Sequence, residues 1–333
     1  ATPIAPRTAA WGPPPSAPTG QRHTPRPNGP NCDRGAIETT TPGSVFVVDT
    51  TVDVVDAVPG DGVCGDGTPG SCSVRAAVQE ANATPGVDTI VVPPGTYELS
   101  IGGPDEDAAA TGDLDITESV TIEGPGATIV GDGTDRVIDV VGGTVTIEGV
   151  TVTGGHAAGG GTRPGFGGGI AASDGTTVRL ADVTLSANHA DEFGGGIGLR
   201  NGAVIEISNT WIDTNSSEYG GGVGAAGAST VIDSTHITTN TATLHGGGLA
   251  AVGPTQITDS TIDANHADAY GGGIASLFSG PMTITDTAIT NNTAFVAGGG
   301  LALNEDLPTI NRSPLISNNA ALLRGRAANC LGT

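Results

Sequence analysis

The sequence predicts an all-β fold, a right-handed parallel β-helix, and three observations carry that expectation. A glycine triplet returns six times, at Gly167–Gly169, Gly194–Gly196, Gly220–Gly222, Gly246–Gly248, Gly271–Gly273 and Gly298–Gly300, in steps of 27, 26, 26, 25 and 27 residues. An asparagine recurs in phase with it, at Asn188, Asn215, Asn240, Asn265, Asn292 and Asn319, in steps of 27, 25, 25, 27 and 27. Each period also reads as three short β-branched runs between turn residues, as in residues 255–258, 259–263 and 264–266, which leaves no room for a helix.

A period this regular is a repeat fold, in which one coil cannot bury its own apolar face but a stack buries a continuous column. Neighbouring coils then pair as parallel strands about 4.8 Å apart. The apolar residue after each triplet (Ile170, Ile197, Val223, Leu249, Ile274, Leu301) would point inward. An asparagine at a fixed turn suits αL backbone and lets side-chain amides bond from coil to coil. The triplets mark a corner of unusual φ or close backbone approach. The right hand follows the general preference of parallel crossovers.

In chain order, residues 1–44 form a Pro-rich extended arm, with Pro13-Pro14-Pro15, Pro25, Pro27 and Pro30. Residues 45–87 hold a strand at Val45–Val48, a turn-rich loop and a helix. Cys64 and Cys72, eight residues apart, are expected to close the loop as a disulfide. Asp56, Asp61 and Asp66 in that loop are oxygen donors of the kind Ca²⁺ takes, but their spacing fits no EF-hand and acidic turns are common, so no cofactor is assigned. Residues 73–82 read as the one helix, with Ser73 as N-cap and Val74, Ala77, Val78 and Ala81 on one face. Placed before a solenoid, it would plug the open end of the core.

The β-helix proper spans residues 88–333. Its early coils are irregular, with strands expected at 89–92, 114–116, 120–122, 137–140, 145–147 and 150–152. Asp105-Glu106-Asp107 and Asp113 read as a solvated excursion, and residues 154–165 as another. About nine coils result, a rod of roughly 40 to 45 Å.

Composition narrows the setting. The 333 residues include 55 Gly, 22 Pro and only 3% aromatics, enough for a thin aliphatic column. The formal net charge of -23, with every basic residue an Arg, disfavours nucleic acid and anionic membranes and repels polyanionic substrates. No membrane-spanning run is present in the sequence, and four cysteines suit an oxidising, secreted or cell-surface location. A chain opening on Ala-Thr-Pro reads as a processed piece of a longer secreted precursor. Asn82, Asn215, Asn291 and Asn311 head Asn-x-Ser/Thr sequons.

Cys72-Ser73-Val74-Arg75-Ala76-Ala77-Val78-Gln79-Glu80-Ala81-Asn82, followed by residues 88–97, resembles the opening signature of secreted bacterial β-helix proteins marked by Cys-Ser-Leu-Arg-Glu-Ala. Val74 and Ala76 depart from its Leu and Glu. The resemblance implies a pectate-lyase-like right-handed β-helix, a fold that serves lyases, hydrolases, adhesins and fibres alike. Residues 20–38 are similar to the segment that closes such domains, and Asn329-Cys330-Leu331-Gly332-Thr333 to a point inside one. Either the chain is cut from tandem modules, or its N-terminal arm completes the last coil of another copy by strand donation. Cys32 and Cys330 would then link copies or ends, link within one chain, or stay free.

Catalytic constellations are absent from the sequence: there is no Lys base, no His pair at metal spacing and no nucleophile motif. Arg179, Arg200, Asp213, Asp233 and Asp263 are outward candidates, yet Asp is an ordinary outward residue of such strands, and no catalytic or metal residue is assigned. One register position is more distinctive: Phe166, Phe193, Tyr219, His245 and Tyr270 precede successive triplets, and Ala297 breaks the series. The rings form either a stiffening corner stack or a strip that stacks on sugars or a partner. His189 and His266 read as solvent-facing turn residues. The resulting expectation is an extracellular structural subunit joining copies of itself head to tail. A polysaccharide lyase or glycoside hydrolase, and a carbohydrate-binding adhesin contacting extracellular glycans, are the alternatives.

Overall fold

A computed structural model describes residues 42–103, 106–159, 165–277, 280–303, 308–311 and 315–322. The chain divides into a unit of Ala1–Pro42 and a compact unit of Gly43–Thr333. Cys32, Cys330, Asp105 and the arm segment 20–38 lie outside the described residues.

The compact unit is an all-β solenoid of four parallel sheets, with one helix among the described residues. One coil shows the plan: Ser229–Asp233 lies in sheet I, His236–Thr238 in sheet II, Thr241–His245 in sheet III and Leu249–Val252 in sheet IV. Each strand pairs in register with its counterpart one coil later, Ile232 with Ile257 and Ile237 with Ile262. Among the described residues the sheets hold 10, 9, 7 and 8 strands respectively. The chain passes nine times through sheet II and seven times through sheet III among the described residues. Sheet III is joined only from His156 onward, so the first two coils lack it and read as irregular.

Four strands per period replace the three expected. The expected runs 255–258, 259–263 and 264–266 meet the strands Thr255–Thr258, Thr261–Asp263 and His266–Ala267, and the additional one follows the triplet, Ile274–Ser276, all three of its residues buried and so without alternation. Strands at Gly95–Glu98 and Ala127–Val130 also escaped the reading of the early coils. The core is built of in-register columns: Ile147, Leu180, Ile207, Ile232, Ile257 and Ile284 follow one another along sheet I, each at most 2% exposed. Burial of each such side chain contributes about 1.5–3 kcal/mol, an upper estimate.

The N-terminal end is closed by strand β1 (Val45–Val47), helix α1 (Val74–Ala83) and the loops around them. β1 pairs with β2 (Asp88–Val91), which leads to β3 (Gly95–Glu98) and, after an excursion, to β4 (Leu114–Ile116). The Ser73 hydroxyl caps α1 by accepting from the Ala76 N–H at 3.0 Å. Residues Val74 to Ala81 are buried on every side, more than the expected single face, because the disulfide loop and residues 108–113 bond to the outer side of the helix. Arg75 is 0% exposed, and its five N–H donors reach Asp53 Oδ1 and Oδ2 and the carbonyls of Ala109, Gly112 and Asp113 at 2.8–3.2 Å. Glu80 accepts from the Gly60 and Gly62 amides, and Asn82 bridges the Asp115 carbonyl and the Thr117 N–H. The polar residues of α1 thus lace the disulfide loop and residues 108–117 to the cap. Losing such a buried charge partner costs about 3–5 kcal/mol.

Asn188, Asn215, Asn240, Asn265 and Asn292 are buried and Asn319 half-buried, and their amides bond from coil to coil. Asn215 Nδ2 donates to Asn240 Oδ1 at 3.0 Å and to the Leu185 carbonyl at 2.9 Å, while the Asn215 N–H also donates to Asn240 Oδ1. The pattern runs from Asn188 to Asn319 and begins at the Gly155 N–H. The αL assignment is corrected by one residue: Ala187, Thr214, Thr239, Ala264, Asn291 and Asn318 have φ of 53–56°, not the asparagines. That residue turns the chain so that the next amide points into the wall. The triplet stands at the next corner, between sheets III and IV, and packs against the asparagine amides from there. Gly220 has φ 65°, a Cβ on Gly221 would strike the Thr241 carbonyl, and one on Gly222 would crowd the Asn240 amide.

Asn240→Ala takes the acceptor from the Asn215 N–H and from one N–H of the Asn215 amide, and removes the donor to the Ile212 carbonyl, in a buried wall. The expected loss is roughly 3 kcal/mol or more by urea unfolding, and Asn240→Asp is at least as damaging because it sets an acceptor against acceptors. Thr239→Gly, which relieves a β-branched residue at positive φ, stays within about 1 kcal/mol of wild type.

Candidate functional site

With the interior filled, chemistry is left to the outer surface and the ends. The aromatic series before the triplets forms a continuous stack. Phe166 and Phe193 lie 5.2 Å apart at 10°, Phe193 and Tyr219 4.7 Å apart at 15°, and Tyr219, His245 and Tyr270 continue at 5.5 and 5.2 Å with greater tilt. Backbone bridges hold adjacent members in register, among them Phe193 with Tyr219 and Tyr270 with Ala297. Phe166, Phe193, Tyr219 and His245 are half-buried and Tyr270 is exposed, and the three internal rings meet a neighbour on each side. Burial holds His245 below its ordinary pKa, which keeps the stack uncharged at neutral pH. At Ala297 the series ends: Tyr270 is 44% exposed, and a groove of about 320 Å³ opens there, lined by His245, Tyr270, Ser276, Leu277 and Leu303 among others.

The outward Arg and Asp candidates do not converge. Arg179 pairs with Glu206 at 2.8 Å, and the Arg200 guanidinium lies 5.4 Å from the Phe166 ring centre. Asp213 and Asp263 sit two coils apart on sheet II with Thr238 between them, whereas Asp233 ends a strand of sheet I. Asp263 accepts from the Thr290 hydroxyl and the Asn291 amide. His189 and His266, read from sequence as turn residues, instead open strands of sheet III, with Nδ1 2.8 Å from a neighbouring hydroxyl in each case.

In the loop before α1, the Cys64–Cys72 disulfide is formed, with the two Cα atoms 5.0 Å apart. The loop carboxylates serve its turns: Asp56 accepts from the Val58 and Gly65 amides, Asp61 from Val63, and Asp66 from Thr68. No helix among the described residues is long and apolar enough to cross a membrane.

Two features were missed from sequence. Trp211 and His236 stack at 4.3 Å on the outer face of sheet II, a second exposed aromatic pair hidden by its lack of a period. A hydroxyl ladder at the corner between sheets I and II comprises Thr210, Thr235, Ser260 and Thr287. Each donates to the carbonyl two residues earlier at 2.7–2.9 Å. Its signal, a Ser or Thr after Asn209, Ser234, Asp259 and Asp286, was in the sequence. Of the sequons, Asn215 is ruled out as a glycan acceptor by its place in the buried ladder.

Asp113 is the largest correction. Rather than lying in a solvated loop, it is 2% exposed and faces Asp115 and Asp139, with ligand atoms of all three within 4.8 Å of one another. Arg136 is the cation already within this group, 2.9 Å from Asp139 and 3.6 Å from Asp113. Desolvation first, then the neighbouring carboxylates, pushes Asp113 up to about 9, and burial pushes Asp115 to about 7. The excess negative charge is therefore relieved by protons.

The chain matches no family model, no curated protein and no solved structure.

Because the folded pKa values of Asp113 and Asp115 lie above the ordinary 3.8, the native state holds protons that the unfolded chain gives up between about pH 4 and pH 9. Stability from this cluster is present at the acid end and lost as pH rises through that window. Asp113→Asn is expected to gain stability relative to wild type progressively from pH 5 to pH 9. Thermal unfolding of both proteins in chelator checks this, and a pH-independent difference refutes it.

Proposed function

We propose that the chain is an extracellular structural β-helix module that joins copies of itself head to tail, residues 20–38 of one copy completing the last coil of the next. The supporting observation is the difference between the two ends. At the N-terminal end, α1 and its polar network cover the column. At the other end, the strands Leu301–Leu303, Thr309–Asn311, Ile316–Ser317 and Ala320–Ala321 are outermost in all four sheets among the described residues.

The inward side chains there are only half-buried. Leu301, Ile310 and Ile316 continue the columns of Ile274, Ile284 and Ile289, each of which is 0% exposed. No described strand pairs beyond these four, and a sheet edge with half-buried apolar side chains suits an added strand. A heterologous contact of this kind gives an open filament. The formed disulfide fits an oxidising compartment.

Negative-stain images and light scattering of the full chain are expected to show linear assemblies. Non-reducing gels then tell whether Cys32→Ser or Cys330→Ser removes a covalent link. Soluble, unlinked monomers over a wide concentration range would overturn the reading.

The broken rung of the aromatic stack favours a second reading, a carbohydrate-binding adhesin. A sugar needs a free ring face, and internal rings of the stack have none to give, whereas Tyr270 beside Ala297 and the 320 Å³ groove does. Tyr270→Ala is expected to abolish binding to neutral glycans on an array, leaving the unfolding midpoint nearly unchanged. An unchanged binding profile rejects the site.

A further inference from the structure

We propose that His156, His189 and Asp191 form a binding site for a divalent transition-metal cation such as Zn²⁺ on the outer face of sheet III. His156–Ala157 and His189–Ala190 are the first two strands of that sheet and pair in register. Their alanines are 0% exposed, so strand alternation sends both imidazoles outward. The ring centres lie 4.8 Å apart at 61°.

Asp191 follows one residue after the second strand and places Oδ1 3.4 Å from Nε2 of each histidine. These separations are longer than ordinary hydrogen bonds of about 2.7–3.2 Å. They match the ligand-to-ligand edge of about 3.3–3.4 Å in a tetrahedral site with bonds near 2.0–2.1 Å. All three donor atoms lie within 4.8 Å of one another, so closing the site requires only a small convergence of the two rings.

Further contacts aim two of the ligands. His189 Nδ1 sits 2.8 Å from Ser216 Oγ, leaving Nε2 for a cation. The other oxygen of Asp191 accepts the Gly159 N–H at 2.7 Å. Partners of this sort fix ring and carboxylate orientation at metal sites. The three side chains are 40–46% exposed, so coordination positions remain open to water or an incoming donor.

The protein contains its own comparison. Three coils later the same triplet returns as His266-Ala267-Asp268, and His266 Nδ1 again meets a hydroxyl, that of Thr293. There the register neighbours are Thr241 and Thr293, without a second imidazole, and His266 Nε2 lies at an ordinary 3.0 Å from Asp268. Only the pair with His156 above it has the longer, shared geometry.

The test uses the full, tag-free chain carrying Cys32→Ser and Cys330→Ser, stripped of metal, with Zn²⁺ and Co²⁺ alone as probes. Calorimetry is expected to show one Zn²⁺ per chain, and Co²⁺ a visible ligand-field band. His156→Ala, His189→Ala and Asp191→Ala each weaken Zn²⁺ binding by about tenfold or more, whereas His266→Ala leaves it unchanged. Imidazole ¹⁵N spectra of the chain with all its histidines need no folded variant: Nε2 of His156 and His189 shifts on adding Zn²⁺, and His266 does not. Absence of stoichiometric uptake, or uptake that perturbs other histidines instead, overturns the proposal.

Discussion

Every coil must retrace the path of its neighbour one strand spacing away, and this constraint shapes the whole structure. A side chain that cannot be repeated at that spacing is confined to the ends, to an excursion or to the outer face. At the corner between sheets II and III the problem is a bend that turns backbone N–H groups and carbonyls into the wall. The asparagine amide answers it because it has both donors and an acceptor and can bond to an identical copy of itself above and below. At the corner between sheets I and II a hydroxyl suffices, because one carbonyl and one N–H remain to be satisfied. Between sheets III and IV the chains come too close for any side chain, and three glycines follow.

The ends cannot use this solution, since a ladder needs a next rung. The first asparagine amide is met by Gly155, whose N–H takes the place of a preceding rung. Further back, the cap replaces repetition with a single dense network. Arg75 satisfies carbonyls from an excursion that has no counterpart in the next coil, and the same helix holds the disulfide loop through Gln79 and Glu80. Stability in the regular coils is therefore distributed and additive, whereas at the cap it is concentrated in a few buried polar side chains.

What sequence revealed followed the same division. The glycine and asparagine periods, the inward aliphatics, the Ser73 cap and the local disulfide were legible because each is a repeated or local feature. The strands of sheet IV were not, since Ile274–Ser276 is short and buried at all three residues and so shows no alternation. The αL positions were also hidden: Ala187, Thr214, Thr239 and Asn291 share a backbone angle but no side-chain chemistry. Asp113 looked like part of an exposed acidic run because its burial comes from Arg75, Arg136 and Asp139, contacts that no local pattern encodes. The pairing of His156 with His189 was invisible for a related reason. An irregular excursion between them lengthens the step to 33 residues, outside the period of the regular coils.

Functional candidates on a solenoid are thus best sought where the repeat is broken rather than where it is kept. A position filled alike in every coil serves the stack: Phe193 spends both faces on Phe166 and Tyr219 and has only an edge to offer. The missing ring at Ala297 frees the face of Tyr270, and the histidine at position 156 turns a recurrent His-Ala-Asp corner into a three-ligand cluster. Regularity builds the rod, and each departure from it leaves bonding capacity that the stack does not use.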